Sequence, residues 1–492
     1  MKIFTSLYRH AWLLLIFFTG VFLRVKAALL DPFLHDWDER YHALVAANMM
    51  KHPFKPMLNK AVFSNYDSQA WCCNHIWLHK QPLFLWQIAT ALKLFGTSTF
   101  VLRLPSVIMG SVMILLLYRI SMLLTKNKLS SLFSAMLLSI SFYQLQLISG
   151  RKGMDHNDVA FGFYILCSFW SFSEYLHAPA SKRWVILTGI FAGCAVLNKW
   201  LTGILIFAPW GLLVLNDLFK TKDIKVLKDM LLGLACCVLV FLPWQLYIFY
   251  RFPAEALHEH RLNAMHLFNV LEGHKGDMLF YVSKLDDYFG QNIFVFLLIG
   301  LGLVLSQKRK WNHFHFTMIF SLLLVFIFFS CVVQTKIDTF VFIVVPLAML
   351  YAGMGFDALF GKLKIPFQIK IVIAFICTVF LCRPLYMLHP GQQLKYSAER
   401  IYNDSVYRQV KKMIPADTRI VLNAFTPGHY DLMFYHPDLI ARDFWIEEKY
   451  LQVLAKYKIR IAAFDNHIGN SNPAFLLNYP YLYLIPIELK VF

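Results

Sequence analysis

The chain has 492 residues, of which 58% are hydrophobic and only 15% are charged, and its mean hydropathy is positive at +0.53. Soluble domains carry about 25% charged residues, so this composition excludes an ordinary soluble protein and predicts that lipid surrounds most of the chain. The formal net charge is +18. Because the basic residues fall mainly in short loops between apolar runs, we expect membrane lipids as their partners and no nucleic acid.

Apolar runs close to the roughly 20 residues that cross a bilayer recur along most of the chain. The first run follows Lys2, Arg9 and His10. No small-residue cleavage pattern follows it and many similar runs do, so we interpret it as a membrane helix rather than a signal peptide. All spans must be helical, since open strands in lipid leave backbone groups unpaired. About eleven spans are predicted, at 11–29, 104–124, 130–149, 158–177, 184–198, 200–216, 229–250, 291–306, 314–334, 339–357 and 367–388.

The basic residues predict how the chain is oriented. If the N-terminus is cytoplasmic, every short basic loop is cytoplasmic too, which is the positive-inside pattern. These loops contain Lys126 and Lys128; Lys182 and Arg183; Lys220, Lys222, Lys225 and Lys228; Lys308, Arg309 and Lys310; and Lys362 and Lys364. The opposite side then receives segments 30–100 and 251–290 and the tail. We therefore expect a multi-pass membrane protein with a cytoplasmic N-terminus and an extracytoplasmic C-terminus.

The tail has a mixed character that differs from the rest of the chain. VLNAF at 421–425 and RIAAF at 460–464 predict short buried strands, and residues 404–413 predict an amphipathic helix. The expected fold is thus an all-α polytopic membrane domain over residues 1–389, with a small extracytoplasmic α/β domain over residues 390–492.

The first outer segment opens with a cluster of acids, Asp36, Asp38 and Glu39, directly after the first predicted span. A carboxylate that faces a cavity at the membrane surface is suited to general-base catalysis on a hydroxyl or amine. The alternative is a helix start, because acids in the first turn complement the helix dipole and an aspartate can cap the N-terminus. The residue types alone leave both interpretations open.

The same segment closes with Lys80, two residues before Pro82. A lysine at the outer interface can bind a phosphate as a point charge. It can also simply extend its ammonium from the bilayer toward water.

A tight outer turn at 150–158 and the segment 251–290 contain the other candidate ligands. Asp155, His156 and Asp158 carry the oxygen and nitrogen atoms that bind divalent cations, but the turn also contains Arg151 and Lys152 to neutralise them. His274, in EGHKG, is the histidine of interest in the second segment. These spacings leave the need for a divalent cation open.

Several motifs together carry a resemblance to a known family. They are WDE-x-x-x-A-x-x-A-x-N-M-M at 37–50, HKQPL at 79–83, FG-x-x-x-F-x-x-RLPS at 95–106, R-x-x-x-D at 151–155, NKWLTG at 198–203, EGH-x-G at 272–276, and K-x-x-TF at 336–340 with Pro346. In this order they resemble the glycosyltransferases of the membrane-embedded C-type fold that use polyprenyl-phosphate sugars. The aminoarabinose transferases of lipid A and the protein O-mannosyltransferases look nearest.

The resemblance implies roles for individual residues. Asp38 matches the base that takes the acceptor's proton, with Glu39 beside it as a second catalytic candidate. Lys80 matches the lysine that holds the donor phosphate, and Arg103 sets the loop geometry. The further phosphate candidates are Lys336, Arg151 and Lys199, and the pocket candidates are Arg40, His42, His79, Asp155, Asp158 and His274.

Departures from the family pattern limit what can be transferred. His42 stands where the family has tyrosine, Arg40 lies one place earlier than the aminoarabinose enzyme's arginine, and His79 replaces an acid that contributes to a metal site there. A metal involving Asp155, His156 or His274 therefore stays undecided.

The predicted function is transfer of a sugar from a polyprenyl-phosphate donor to an envelope acceptor, with inversion at the anomeric carbon. The acceptor is lipid A, another glycan or lipid, or a protein hydroxyl. A transporter or flippase is the first alternative, and a non-catalytic sugar-lipid binding protein is the second. The transporter is disfavoured because the apolar runs contain few acids, whereas transporters need ionisable residues at membrane depth.

Overall fold

The computed structural model describes residues 2–36, 38–59, 75–153, 155–222, 224–290, 293–306, 312–381, 394–425, 428–443, 445–466 and 471–490. Helices dominate these ranges. In chain order, α1 to α22 are Lys2–Ala28, Asp38–Met49, Leu83–Phe95, Thr99–Thr125, Lys128–Ser139, Phe142–Ile148, Asp155–His177, Lys182–Lys199, Phe207–Thr221, Ile224–Arg251, Pro253–Phe268, Phe280–Ser283, Leu285–Phe289, Phe294–Ser306, His313–Ile327, Thr339–Phe342, Val345–Phe360, Phe367–Leu381, Ser397–Met413, Gly428–Tyr435, Glu448–Lys456 and Ala474–Leu477.

Six helical segments among the described residues are long and apolar enough to cross a membrane, and a seventh is added if the bent pair α5–α6 forms one span. The six are His10–Ala28, Thr99–Thr125, Asp155–His177, Lys182–Ile204, Ile224–Arg251 and His313–Val332. Shorter apolar helices are Leu83–Phe95, Phe294–Ser306, Val345–Phe360 and Phe367–Val379. The chain is therefore a mostly helical multi-pass membrane protein.

The predicted number of eleven spans is not confirmed, because hydropathy does not register helix breaks. The predicted span 339–357 is divided into α16 and α17, and the predicted span 200–216 starts as the 3-10 turn Trp200–Ile204, which leaves only 15 residues for α9. The predicted split after Asn198 matches the end of α8 at Lys199. Parts of the predicted spans 291–306 and 367–388, and the basic loop at 308–310, lie outside the described residues.

The chain divides into two compact units, called here the first and second units. The first unit comprises residues 1–30 and 105–389, and the second comprises residues 31–104 and 390–492. The second unit therefore joins the first long segment to the tail, a grouping that the sequence did not predict. The predicted domain boundary at residue 390 stays a prediction.

Small residues let helices of the first unit approach closely. A Cβ added to Gly189 of α8 would lie 2.0 Å from the carbonyl oxygen of Gly233 on α10, and one added to Gly193 would lie 2.6 Å from the oxygen of Cys237. The spacing of Gly189 and Gly193 is the small-xxx-small pattern by which membrane helices pack. Gly300 of α14 approaches the Tyr351 oxygen of α17 in the same way, at 1.9 Å.

Arg24, in the first membrane helix, stabilises the break between α5 and α6. Its fully buried guanidinium donates to the carbonyls of Leu138 and Ser139, both at 2.9 Å, and to the side chain of Gln144. Those carbonyls belong to the last two residues of α5, and the bend between α5 and α6 is 41°. A charge inside an apolar run normally has such a structural or functional partner.

The tail part of the second unit contains a four-stranded parallel sheet. Its strands are β1 Ile420–Leu422, β2 Ile440–Ala441, β3 Ile461–Phe464 and β4 Leu482–Ile485, in the order β2-β1-β3-β4. The predicted strands at 421–425 and 460–464 correspond to β1 and β3, and the predicted helix lies within α19. Sheet and helices share a core that includes Leu422, Leu451 and Ile461.

Candidate active site

Helix α2 begins at Asp38, with Glu39 in its first turn, in agreement with the preference for acids at the positive end of a helix. All of its residues from Glu39 to Met49 are buried, so the helix lies inside the second unit rather than on its surface. Asp38, at the start, is the only residue of α2 whose burial is partial. The side chain of Asp38 is 22% exposed.

Glu39 forms a buried ion pair with Arg103. The Nε and Nη2 atoms of Arg103 donate to Oε1 and Oε2 of Glu39 at 2.6 and 3.0 Å. The backbone N–H of His35 also donates to Oε2 of Glu39, at 2.7 Å. Burial is the largest influence and raises the pKa of Glu39, but the charge and hydrogen bonds of Arg103 together with the contacts of His35 outweigh it, so the pKa lies below its ordinary value. Arg103 also donates to the carbonyls of Asp31 and Phe33. These contacts hold Glu39 in a buried ion pair, and its predicted catalytic role stays a prediction.

Lys80 lies beside Asp38. Its Nζ atom is 3.9 Å from Oδ1 of Asp38, and the side chains are 11% and 22% exposed. The chain returns toward α2 because residues 56–58 pair with 75–77 around an antiparallel bridge between Met57 and Ile76. The separation exceeds the usual hydrogen-bond length, so the pair is a loose electrostatic contact. The two residues that the sequence most strongly predicted to act together are therefore neighbours in space.

The other pocket candidates of this segment are buried in packing or ion-pair contacts. The His42 ring packs edge-on against Trp77 and Phe84, with centroids 5.8 and 4.7 Å away. His79, also buried, lies 5.8 Å from the Trp77 ring. These contacts join α2 to the start of α3. Both histidines thus pack against Trp77, and their predicted place in the pocket stays a prediction.

Arg40, a further pocket candidate, binds two carboxylates. Its Nη1 lies 2.5 Å from Asp36, and its Nε lies 2.7 Å from Asp431 of α20 in the tail. Burial raises the pKa of Asp431 to about 7, and Arg40 opposes that rise. Asp431 was missed at the sequence level. The only signal was an acid inside the otherwise apolar and aromatic run GHYDLMFY, where a buried charge needs a partner.

In the first unit, Lys199 and Asp158 form an ion pair in which both side chains are largely buried. The Lys199 ammonium also lies 3.3 Å from the Thr339 hydroxyl and 5.3 Å from the centroid of Phe340. The structure therefore brings together residues from the predicted 150–158, 198–203 and 336–340 motifs. Asp158 already neutralises Lys199, which leaves less positive charge for a phosphate than the sequence implied.

The turn before α7 positions the remaining candidates of the 150–158 motif. Gly150, Gly153 and Asp155 all have left-handed backbone, with φ of 79°, 62° and 45°. Asp155 and His156 are buried, Arg151 is half-buried, and Nδ1 of His156 lies 2.6 Å from the Ser106 hydroxyl. The tight turn thus directs these side chains inward.

Lys336 has a different role from the predicted phosphate ligand. Its ammonium donates to the carbonyls of Phe329, Ser330 and Val333 at 2.6, 2.8 and 2.5 Å. These carbonyls lie where the helix that begins as α15 ends, so Lys336 caps unpaired acceptors. With its three N–H groups engaged, Lys336 is a helix cap in this conformation. The backbone carbonyl of exposed His274 accepts from the Lys336 N–H at 2.9 Å.

The predicted metal candidates are not gathered into a site. Within the described ranges, no group of three or more histidine, cysteine, aspartate or glutamate side chains has a metal-binding arrangement. His156 contacts Ser106, and His274 lies in an exposed turn. A metal at Asp155, His156 or His274 stays a prediction.

Comparison with known proteins finds similar sequences over one part of the chain. A family model described as dolichyl-phosphate-mannose-protein mannosyltransferase matches residues 79–247, which begin at the HKQPL motif. The undecaprenyl phosphate-alpha-4-amino-4-deoxy-L-arabinose arabinosyl transferase of Pseudomonas aeruginosa (strain UCBPP-PA14) is 27% identical over 171 residues. That match covers 33% of this chain and 29% of the relative, so the chain aligns with less than a third of the relative's length.

Solved structures extend the similarity to most of the chain. ArnT from Cupriavidus metallidurans, crystallised with undecaprenyl phosphate, superposes with a TM-score of 0.62 over 88% of this chain and 86% of its own, at 15% identity. The oligosaccharyltransferase AglB from Archaeoglobus fulgidus gives 0.50 over 88% and 64%, at 13% identity. The chain has the membrane-embedded C-type glycosyltransferase fold. Within the second unit, the side chains of Asp38 and Lys80 are both partly exposed.

Proposed function

We propose that the chain is a glycosyltransferase that moves a sugar from a polyprenyl-phosphate donor to an envelope acceptor. The observation that carries the proposal is the 3.9 Å contact between the Asp38 carboxylate and the Lys80 ammonium on a C-type fold. The names of the similar proteins support the donor class, since they refer to undecaprenyl phosphate and dolichyl phosphate.

The proposed reaction is a single displacement at the anomeric carbon. Asp38 takes the proton of the acceptor hydroxyl or amine as that atom forms its bond to the sugar. The bond between the anomeric carbon and the phosphate oxygen breaks, and the polyprenyl phosphate leaves with the electron pair. Lys80 stabilises the negative charge that develops on this leaving group. One displacement inverts the anomeric configuration.

The separate environments of Asp38 and Glu39 favour Asp38 as the base. The Asp38 side chain is 22% exposed and lies 3.9 Å from the Lys80 ammonium, whereas Glu39 is buried and both of its oxygens accept from Arg103. A base must reach the acceptor's proton within hydrogen-bond distance, which the buried Glu39 is not positioned to do. Arg151 stays a predicted phosphate ligand, and so does Lys199, which would have to exchange Asp158 for the phosphate.

The proposed setting is a bacterial inner membrane, with a cytoplasmic N-terminus and periplasmic segments 30–100, 251–290 and 390–492. The positive-inside distribution of lysines and arginines supports this orientation. The isoprenoid tail of the donor then lies among the membrane helices, and the acceptor is lipid A, another glycan or lipid, or a protein hydroxyl.

The test compares envelope lipids, glycans and proteins by mass spectrometry in cells that lack the protein and in cells that express wild type, Asp38→Asn or Asp417→Asn. Asp417 is an exposed aspartate paired with Arg460 and serves as the matched control. We expect a hexose, pentose or aminosugar mass on one acceptor class with wild type and Asp417→Asn only. An acceptor modified equally by Asp38→Asn, or no sugar difference between wild type and the null strain, would refute the proposal.

A further inference from the structure

Within the second unit, ion pairs connect residues 31–44, called here the Asp38 segment, to the tail, residues 390–492. Arg40 contacts Asp36 on its own segment and Asp431 on α20, and both the Arg40 and Asp431 side chains are at least nine-tenths buried. The second oxygen of Asp36 accepts from Arg400 on α19. A continuous chain of charges thus runs from the tail to the residues on either side of Asp38.

A second group of contacts holds the beginning of the same segment. Arg408 of α19 donates to the backbone carbonyl of Pro32 at 2.5 Å. Its Nε binds Asp404 at 2.6 Å, and the Tyr435 hydroxyl of α20 donates to the other Asp404 oxygen at 2.7 Å. These bonds fix the Arg408 guanidinium between the two tail helices. The Asp38 segment is therefore attached to the tail at Pro32, Asp36 and Arg40.

Two contacts of aromatic rings also join the Asp38 segment to the tail. The rings of Tyr41 and Tyr430 lie 4.9 Å apart, and Arg400 lies 5.7 Å from the ring of Phe33. Removing one partner of a buried ion pair is strongly destabilising, so the Arg40–Asp431 pair favours the arrangement of the segment and the tail seen here. A fixed arrangement on both sides of Asp38 restricts where its carboxylate can point.

We propose that the tail supplies positioning residues for the catalytic base, with Asp431 and Arg400 holding Arg40 and Asp36 so that Asp38 faces its substrate. This inference rests on the proposed function of Asp38. Asp431 itself is buried and bound to Arg40, so it acts through Arg40 rather than on substrate. The tail is then part of the reaction machinery and not an accessory domain.

The test uses the purified full chain with Asp431→Asn, and Asp438→Asn as the matched control. Asp438 lies in the same tail but pairs with Lys411, another tail residue, and is 43% exposed. On the purified chain, we measure hydrogen–deuterium exchange of amides 31–44 and binding of undecaprenyl phosphate. In cells that express the same variants, we measure the yield of modified acceptor per folded molecule. Arg400→Met provides a second variant if Asp431→Asn does not fold.

We expect Asp431→Asn to increase exchange locally at 31–44 and to reduce acceptor yield roughly 10- to 100-fold, since small misplacement of a reacting group has effects of this size. Undecaprenyl phosphate binding and the Asp438→Asn variant should stay within about twofold of wild type. Unchanged yield and exchange in folded Asp431→Asn and Arg400→Met would overturn the inference. A wild type without any transfer would instead refute the proposed function, while the exchange data would still report whether the tail holds the segment.

Discussion

Asp38 and Glu39 are adjacent carboxylates on the same helical turn, yet the structure places them in opposite surroundings. Glu39 is 2% exposed and receives three hydrogen bonds from Arg103 and the His35 backbone. Asp38 is 22% exposed on its side chain and has Lys80 at 3.9 Å. Residue type alone does not distinguish the two carboxylates. Their burial and their partners do, and under the proposed function the buried Glu39 organises the loop whereas the partly exposed Asp38 acts on the substrate.

The largest effect that this comparison predicts is on turnover. Asp38→Asn should reduce the rate of sugar transfer roughly 10²- to 10⁴-fold, the usual contribution of a general base. Thermal stability should change little, because Asp38 is partly exposed. A rate assay on membranes that contain equal amounts of folded protein measures this. An Asp38→Asn variant that keeps wild-type turnover would remove the distinction between the two carboxylates.

Glu39→Ala should show the opposite pattern, a loss of stability. Removing one partner of a buried ion pair leaves Arg103 without its counter-charge, which typically costs about 3–5 kcal/mol. Thermal unfolding of the detergent-solubilised protein measures the loss, and Asp417→Ala is the exposed control. Stability equal to that of wild type would show that the Glu39–Arg103 pair does not hold the loop.

Lys80→Met should reduce transfer roughly 10²- to 10³-fold, the range found when one charge-stabilising donor is removed from a transition state. Binding of undecaprenyl phosphate should weaken as well. Lys93→Met, an exposed lysine at the end of α3, is the matched control. Normal phosphate binding and turnover in Lys80→Met would contradict the assignment of Lys80 as the donor-phosphate ligand.

The Lys336→Met variant distinguishes a helix-capping role of Lys336 from a role in binding the donor phosphate. The loss of its charged hydrogen bonds to three carbonyls should reduce stability by about 1.5–3 kcal/mol, with undecaprenyl phosphate binding per folded molecule unchanged. Thermal unfolding and lipid binding are compared with those of Lys362→Met, an exposed lysine. A strong loss of lipid binding at wild-type stability would restore the role that the sequence suggested.

The smallest predicted effect concerns pH and again involves Glu39. Burial raises the pKa of Glu39, but the charge and hydrogen bonds of Arg103 and the contacts of His35 together lower it below the ordinary 4.5, so the ion pair stabilises the fold fully above that pH. The contribution is lost as the pH falls through the lowered pKa. The difference in melting temperature between wild type and Glu39→Gln should therefore be largest near neutral pH and shrink below pH 4.5. A difference that grew on acidification would contradict the sign of this shift.

The sequence predicted the proximity of Asp38 and Lys80 better than it predicted the contacts of the residues around them. The motifs around Asp38 and Lys80 resemble a known family, so their proximity could be expected despite the long segment between them. The roles of Glu39 and Lys336 depend on where Arg103 and the carbonyls at the end of a helix lie, and no local pattern reports that. Asp431 contacts Arg40 across some 390 residues, a pairing that needs the tail's fold to be known.

The same distinction applies to the fold. The membrane helices and the strands β1 and β3 could be predicted from the sequence because periodicity and hydropathy are local properties. The two-residue strand β2, the bend stabilised by Arg24 and the division of 339–357 into two helices depend on tertiary contacts. Hydropathy thus identified the membrane protein correctly and left the number of complete spans unresolved.

The most direct test of the central claim is a structure of the full chain with undecaprenyl phosphate bound, determined by cryo-electron microscopy. The proposed function predicts a phosphate oxygen within roughly 3.2 Å of the Lys80 ammonium, with the Asp38 carboxylate facing the same cavity. A phosphate bound away from Lys80, or an Asp38 side chain that points away from the lipid's head group, would contradict it.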